Sequence, residues 1–252
     1  MIGNVINIIL LTLLASSVHA LPSSAEKDLE RYIKIFNSAD TLQQKKAAQT
    51  LEWAGFTDPR LFDRIEVKLL AGYKTAHNKD DVDYYAWLSK ALSFSGQTKY
   101  VDTLEKVSKD SHSSKLKKHA GTALQTLPRY TNWNPQIINE TLWDPALDVE
   151  TNRLISMINS NDLSLKRLSA KRSHYSHNYS PKLLETYQQQ LLANYQTASN
   201  DKLFVDTWAW VTKALAGSAL PQYKLTVSKV ADGANNRQLK KYAKKYLNYY
   251  KN

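Results

Sequence analysis

Residues 86–124, AWLSKALSFSGQTKYVDTLEKVSKDSHSSKLKKHAGTAL, meet themselves again 123 positions later, at 209–247, as AWVTKALAGSALPQYKLTVSKVADGANNRQLKKYAKKYL. Fifteen of the 39 aligned positions are identical without a gap, among them Trp87 with Trp210, Tyr100 with Tyr223 and Leu116-Lys117-Lys118 with Leu239-Lys240-Lys241. Ordinary composition gives roughly three such matches by chance. The chain therefore reads as a duplication. Upstream the register becomes 122: Arg31, Ile33, Asn37, Asp40, Ala48 and Pro59 meet Arg153, Ile155, Asn159, Asp162, Ala170 and Pro181, and Leu69, Leu70 and Tyr73 meet Leu191, Leu192 and Tyr195. Two tandem copies repeat at about 122 residues, the first within 21–126 and the second within 149–252. A Pro- and Trp-bearing joint, 127–148, lies between them and is expected to be packed down through Trp133 and Trp143.

Only seven Gly and seven Pro occur in 252 residues, while Ala, Leu, Lys, Gln and Glu recur at helical spacing, so the fold class is all-α. Helices are expected near 24–37, 41–54, 58–75, 80–95, 98–109 and 113–126, then 148–160, 163–176, 180–198, 202–217, 220–231 and 235–250. Asp58-Pro59 and Ser180-Pro181 each set a capping residue before a proline at the first helical position. Leu61, Ile65, Leu69 and Tyr73 form one apolar stripe at four-residue steps. Connections of two to five residues make neighbouring helices antiparallel, and three hairpins per copy give units of roughly 41 residues.

At the closing helix of each copy a resemblance to HEAT repeats emerges. Asp110 is followed by Leu116-Lys117-x-x-Ala120-x-x-Ala123-Leu124, and the later copy has Leu239-Lys240-x-x-Ala243-x-x-Tyr246-Leu247. Asp40 with Lys45, Ala48 and Leu51, and Asp162 with Arg167 and Ala170, resemble degenerate versions, and Trp53–Leu70 is similar to the family's Gly-x-x-Asp-Pro turn. The chain departs from the pattern in using Lys for Arg and in carrying Asp232 one position before the 123-register equivalent of Asp110. The resemblance implies an α-solenoid of antiparallel hairpins and leaves activity open.

Residues 1–20 read as a secretory signal: an apolar run over 5–18 followed by Val18-His19-Ala20 as a small-residue cleavage site. Export to the periplasm or beyond, in a bacterial envelope, is the expectation. With no cysteine in the chain, disulfides and thiolate metal sites are excluded. Charge is uneven. Residues 21–147 carry 18 Lys and Arg against 16 Asp and Glu, whereas 148–252 carry 16 against 7, so the second copy holds nearly all of the formal +11. Such asymmetry points to an anionic partner.

Catalytic patterns are missing. No Gly-rich phosphate loop, Gly-x-Ser-x-Gly or His-Glu-x-x-His occurs. Asp80-Asp81-x-Asp83 stands at a helix start, where carboxylates favour the macrodipole. His174-x-x-His177 lacks a third ligand nearby in sequence and reads as a surface pair. Trp87 and Trp210 follow core spacing with Ala91 and Leu92, leaving Tyr85 and Trp208 as candidate surface aromatics together with Tyr242 and Tyr249. The densest cationic face is Arg237, Lys240, Lys241, Lys244 and Lys245, on a helix whose Leu239, Ala243, Tyr246 and Tyr250 point inward; Lys166, Arg167, Lys171 and Arg172 form a second cluster. The expected molecule is thus a non-catalytic exported scaffold with no cofactor, binding an acidic protein. Anionic lipid headgroups, lipopolysaccharide or cell-wall glycan are the alternative partner. A HEAT-like nucleic-acid binder or DNA glycosylase is expected only if the chain is not exported. The oligomeric state has no signature in the sequence.

Overall fold

The computed structural model describes residues 23–139 and 143–251. The expected signal segment, 1–20, therefore lies outside the described residues. Among those described there is no strand. Twelve α-helices follow one another: α1 Ser23–Asn37, α2 Thr41–Thr50, α3 Pro59–Gly72, α4 Lys79–Phe94, α5 Val101–Asp110, α6 Ser114–Ile137, α7 Val149–Asn159, α8 Leu163–Ser176, α9 Pro181–Asn194, α10 Lys202–Gly217, α11 Pro221–Gly233 and α12 Arg237–Tyr246. None is long and apolar enough to cross a membrane.

Most helices begin where a short polar side chain takes over an orphan backbone N–H. The Asp40 carboxylate accepts from Gln43 N, Asp162 from Leu165 N, Asp201 from Phe204 N and Asn236 from both Gln238 N and Leu239 N. Asp58 caps α3 as expected. Ser180 makes no side-chain cap on α9; its own backbone N–H is held by Asn178 Oδ1, which takes the chain into the helix instead. Asp110 ends α5 rather than opening α6, whose cap is Ser113.

Packing follows the apolar stripes. Leu61, Ile65, Leu69 and Tyr73 are all buried. In the first half α4 packs between α2 and α6, while α3 packs against α1 and α5; in the second half α10 lies between α8 and α12, and α9 against α7 and α11. The even-numbered and odd-numbered helices thus make two layers with the core between them.

The segment 127–148 differs from expectation in its first half. Pro128 and Pro135 read as helix breakers, yet α6 runs through both to Ile137. Each proline removes one backbone bond, and burial of Leu127, Tyr130, Trp133 and Ile137 against the first half and α7 outweighs that loss. Trp133 Nε1 donates to Asp162 Oδ2 at 3.0 Å, tying α6 to the cap of α8.

Candidate functional site: the cationic α12 groove and the junction between the halves

The α12 helix presents two faces because its sequence alternates lysine pairs with apolar residues at helical period. Leu239 and Ala243 are buried against α10 and α11, and Tyr246 and Tyr250 are half-buried. Arg237, Lys241, Lys244 and Lys245 are exposed, and Lys240 is half-buried. A groove of about 760 Å³ runs along the first part of this face, lined by Arg237, Lys240, Lys241 and Lys244 with Asn200 and Asn236. Among the described residues no ion pair reaches any of the five cations. Tyr242 stacks on Tyr246 at 6.2 Å, and Tyr246 meets Tyr249 at 6.4 Å, so an aromatic ladder flanks the lysines. Burial, with Tyr242 and Tyr249 nearby, pushes the Tyr246 hydroxyl up to about 12. It is therefore neutral at physiological pH and leaves the cationic face unopposed. Tyr249 is 40% exposed, and Tyr242 is half-buried against the core.

The other two expected surface aromatics are placed differently. Trp208 is 1% exposed, a core residue, whereas Trp87 and Trp210, expected in the core, are only partly buried. On α10 the buried positions are Val205, Thr207, Trp208, Ala209, Val211, Thr212, Ala214, Leu215 and Ala216, and Trp210 is not among them. Trp210 instead lies between Lys213, 4.6 Å from the ring, and Lys171 at 5.2 Å, with Tyr175 at 5.7 Å. Lys90 sits 4.0 Å over Trp87 in the same manner. Tyr85 is half-buried with its hydroxyl over Gly72, where a Cβ would come within 1.8 Å of it.

The second expected cationic cluster does not form one surface. Lys166 donates to Ile158 O at 2.7 Å and to Gln190, and burial lowers its pKa. Arg167 pairs with Asp206 at 2.9 Å, Lys171 lies on Trp210, and Arg172 pairs with Glu150 at 2.8 Å while stacking 4.1 Å over Trp53. Four charges that are neighbours in sequence are consumed by four different contacts. Asp83 of the acidic run pairs with Lys45, and Asn78, not an aspartate, caps α4. His177 forms the left-handed C-cap of α8; His174 packs among Tyr175, Trp210 and Tyr249, and burial with the nearby Lys213 lowers its pKa. No group of three His, Asp or Glu able to hold a metal occurs among the described residues.

Sequence reasoning missed the junction between the halves. Arg153, at the middle of α7, is a buried guanidinium that donates to Asp28 Oδ2 across the junction at 2.6 Å and lies 4.8 Å over Phe56. Asp28 also holds Arg31 through two N–H groups. The alignment of Arg31 with Arg153 at offset 122 gave no sign of it, because Arg31 is exposed where Arg153 is buried. Close by, Glu52 makes no ion pair; burial raises its pKa, opposed by Lys171, Lys90 and Arg129.

No protein-family model matches the chain. No curated protein matches it. Among solved structures, human deoxyhypusine hydroxylase in complex with glycerol is similar at 13% identity and a TM-score of 0.34, over 88% of this chain and 84% of that one. That protein is named as an enzyme, and the expectation of a non-catalytic chain is not kept. Likeness at this level transfers no activity or substrate to it.

Proposed function

We propose that the chain is a helical-repeat scaffold of the HEAT-like α-solenoid type, made of two tandem copies, whose second copy docks on an acidic protein of the cell envelope through α12. The tandem reading is supported by backbone as well as sequence. Among the described residues those with positive φ are Gly55, Gly96, His177 and Ala219, and they fall in pairs 122 and 123 apart, the same two registers as the sequence match. Stacked hairpins present extended faces to partners, and in this reading residues 1–20 export the chain.

One observation carries the docking surface: the α12 groove gathers Arg237, Lys240, Lys241 and Lys244 with no carboxylate paired to them among the described residues. Clustered unneutralised cations speed encounter with an anionic partner, and salt screens the attraction over a Debye length of about 8 Å at physiological strength. The test is affinity capture from envelope extracts at low and high salt, with the parent chain and a variant in which Lys240, Lys241, Lys244 and Lys245 are Gln. Gln keeps helix propensity. A protein retained by the parent at low salt, released at high salt and not retained by the variant is the expected result. Retention by anionic lipid vesicles alone would replace the protein partner with a membrane surface. Equal retention by parent and variant would remove α12 from the function.

A further inference from the structure

A cavity of about 360 Å³ opens where α1 and the turn at 51–53 face α7 and α8. Its walls include Asp28, Arg31 and Trp53 from the first half and Glu150, Arg153 and Arg172 from the second. The Arg153 side chain is 5% exposed. Only its Nη1 has a partner, Asp28; Nε and Nη2 are buried without an acceptor among the described residues. Those two N–H groups form one edge of the guanidinium, the edge that meets a carboxylate or phosphate side-on through two parallel bonds. A buried charged donor left without an acceptor is costly, and such a group in a folded protein calls for a partner.

The carboxylates in the cavity are already engaged. Asp28 takes Arg31 on Oδ1, at 3.0 and 2.7 Å, and Arg153 on Oδ2. Glu150 takes Arg172 at 2.8 Å, and Asp148 takes the backbone N–H and hydroxyl of Thr151 at 2.9 and 2.6 Å. Three guanidinium groups balance three carboxylates in charge, yet guanidinium donors outnumber the acceptor oxygens facing them. Arg172, flat against Trp53 at 4.1 Å, makes a planar cationic wall. The α7 helix also begins here, with its N-terminal dipole at the cavity.

We propose that this cavity binds a small oxyanion, the carboxylate or phosphate group of a small molecule, at Arg153, whose buried free edge the ligand uncovers as it enters, and that the ligand thereby ties the two halves together. Recognition rests on directed hydrogen bonds in a sheltered space rather than on net charge. Its salt dependence is therefore weaker than that of the α12 groove.

Calorimetric titration of the full chain with inorganic phosphate and, separately, with acetate tests this, with chloride held at matched ionic strength. Saturable one-site binding of at least one probe is expected, and which one binds identifies the oxyanion. Arg153→Gln should weaken it by about ten-fold or more, the loss of a charge-assisted hydrogen bond. Asp28→Asn removes the competing carboxylate and should tighten it, and the four-lysine variant of α12 should bind as the parent does. No saturable binding of either probe overturns the proposal. So does binding unchanged in Arg153→Gln, or binding lost in the four-lysine variant. If Arg153→Gln does not fold, Asp28→Asn decides: tighter binding supports the site, and unchanged or weaker binding overturns it.

Discussion

The two halves make the same pair of sharp turns and fill them differently. In the first half the positive-φ positions are Gly55 and Gly96; in the second they are His177 and Ala219. The difference lies in what covers the turns. Residues 130–138, the end of α6 and its cap, lie directly on both first-half turns: a Cβ at Gly96 would fall 2.5 Å from the Thr131 backbone N, and one at Gly55 2.9 Å from the side chains of Ile137 and Ile138. Asn134 completes the cover, its Nδ2 donating to Phe94 O and Ser95 O at 2.9 and 3.0 Å. In the second half α12 passes at Tyr246 into a short 3-10 turn, Leu247–Tyr250, and the two turn residues His177 and Ala219 are exposed. Glycine is required where a helix is laid on the turn, and a side chain is tolerated where the turn is left open, at the cost of left-handed backbone strain. The turns of the first half are covered by α6, while α12 in the second half keeps its outer face exposed and cationic.

Three tests probe this contrast. The largest effect belongs to the core: Trp208→Ala should destabilise by about 3–5 kcal/mol, whereas Trp210→Ala, on a partly exposed ring held by two lysines, should cost roughly 1 kcal/mol or less. Thermal or denaturant unfolding reads both, and equal losses would return Trp210 to the core. Asn134→Ala comes next. It leaves carbonyls of the first-half turn without their donor and should cost about 1–3 kcal/mol. A neutral result would mean that the α6 extension is not what seals the turn. Third is a reversal of sign between equivalent turns. Ala219→Gly should change stability by no more than about 1 kcal/mol, in the stabilising direction, because it relieves left-handed strain at the expense of unfolded-state entropy. Gly96→Ala should destabilise by more than that, because the clash is with backbone. The same sign at both positions would break the comparison.

Much of this was legible in sequence. The helix count, the cap at Asp58, and the stripe from Leu61 to Tyr73 follow from local rules that tertiary packing leaves intact. The α6 extension was not legible, because Pro128 and Pro135 read as breakers and only the burial of Tyr130, Trp133 and Ile137 overrides them. The tryptophans were exchanged because Trp87 and Trp210 each share a four-residue step with a buried residue, Ala91 and Ala214, while the buried stripe of α10 runs through Trp208. The cluster from Lys166 to Arg172 looked like one surface because sequence shows neighbours but not their partners, and Asp206 and Glu150 lie 39 and 22 positions away. Arg153 was hidden for the same reason, since Asp28 is 125 residues from it.

The free lysine face of α12 has a built-in control in α6. Lys117 and Lys118 stand where Lys240 and Lys241 do in the other half, but Gly121 and Thr122 replace Lys244 and Lys245. The decisive measurement is the affinity of the full chain for polyglutamate, an acidic polypeptide probe, as a function of salt. It compares the parent, the four-lysine α12 variant and a variant with Lys115, Lys117 and Lys118 changed to Gln. The account predicts that affinity falls steeply with salt in the parent and in the α6 variant, and that both the affinity and most of its salt dependence disappear in the α12 variant. Equal losses in the two variants, or an α12 variant that binds as the parent does, would contradict it.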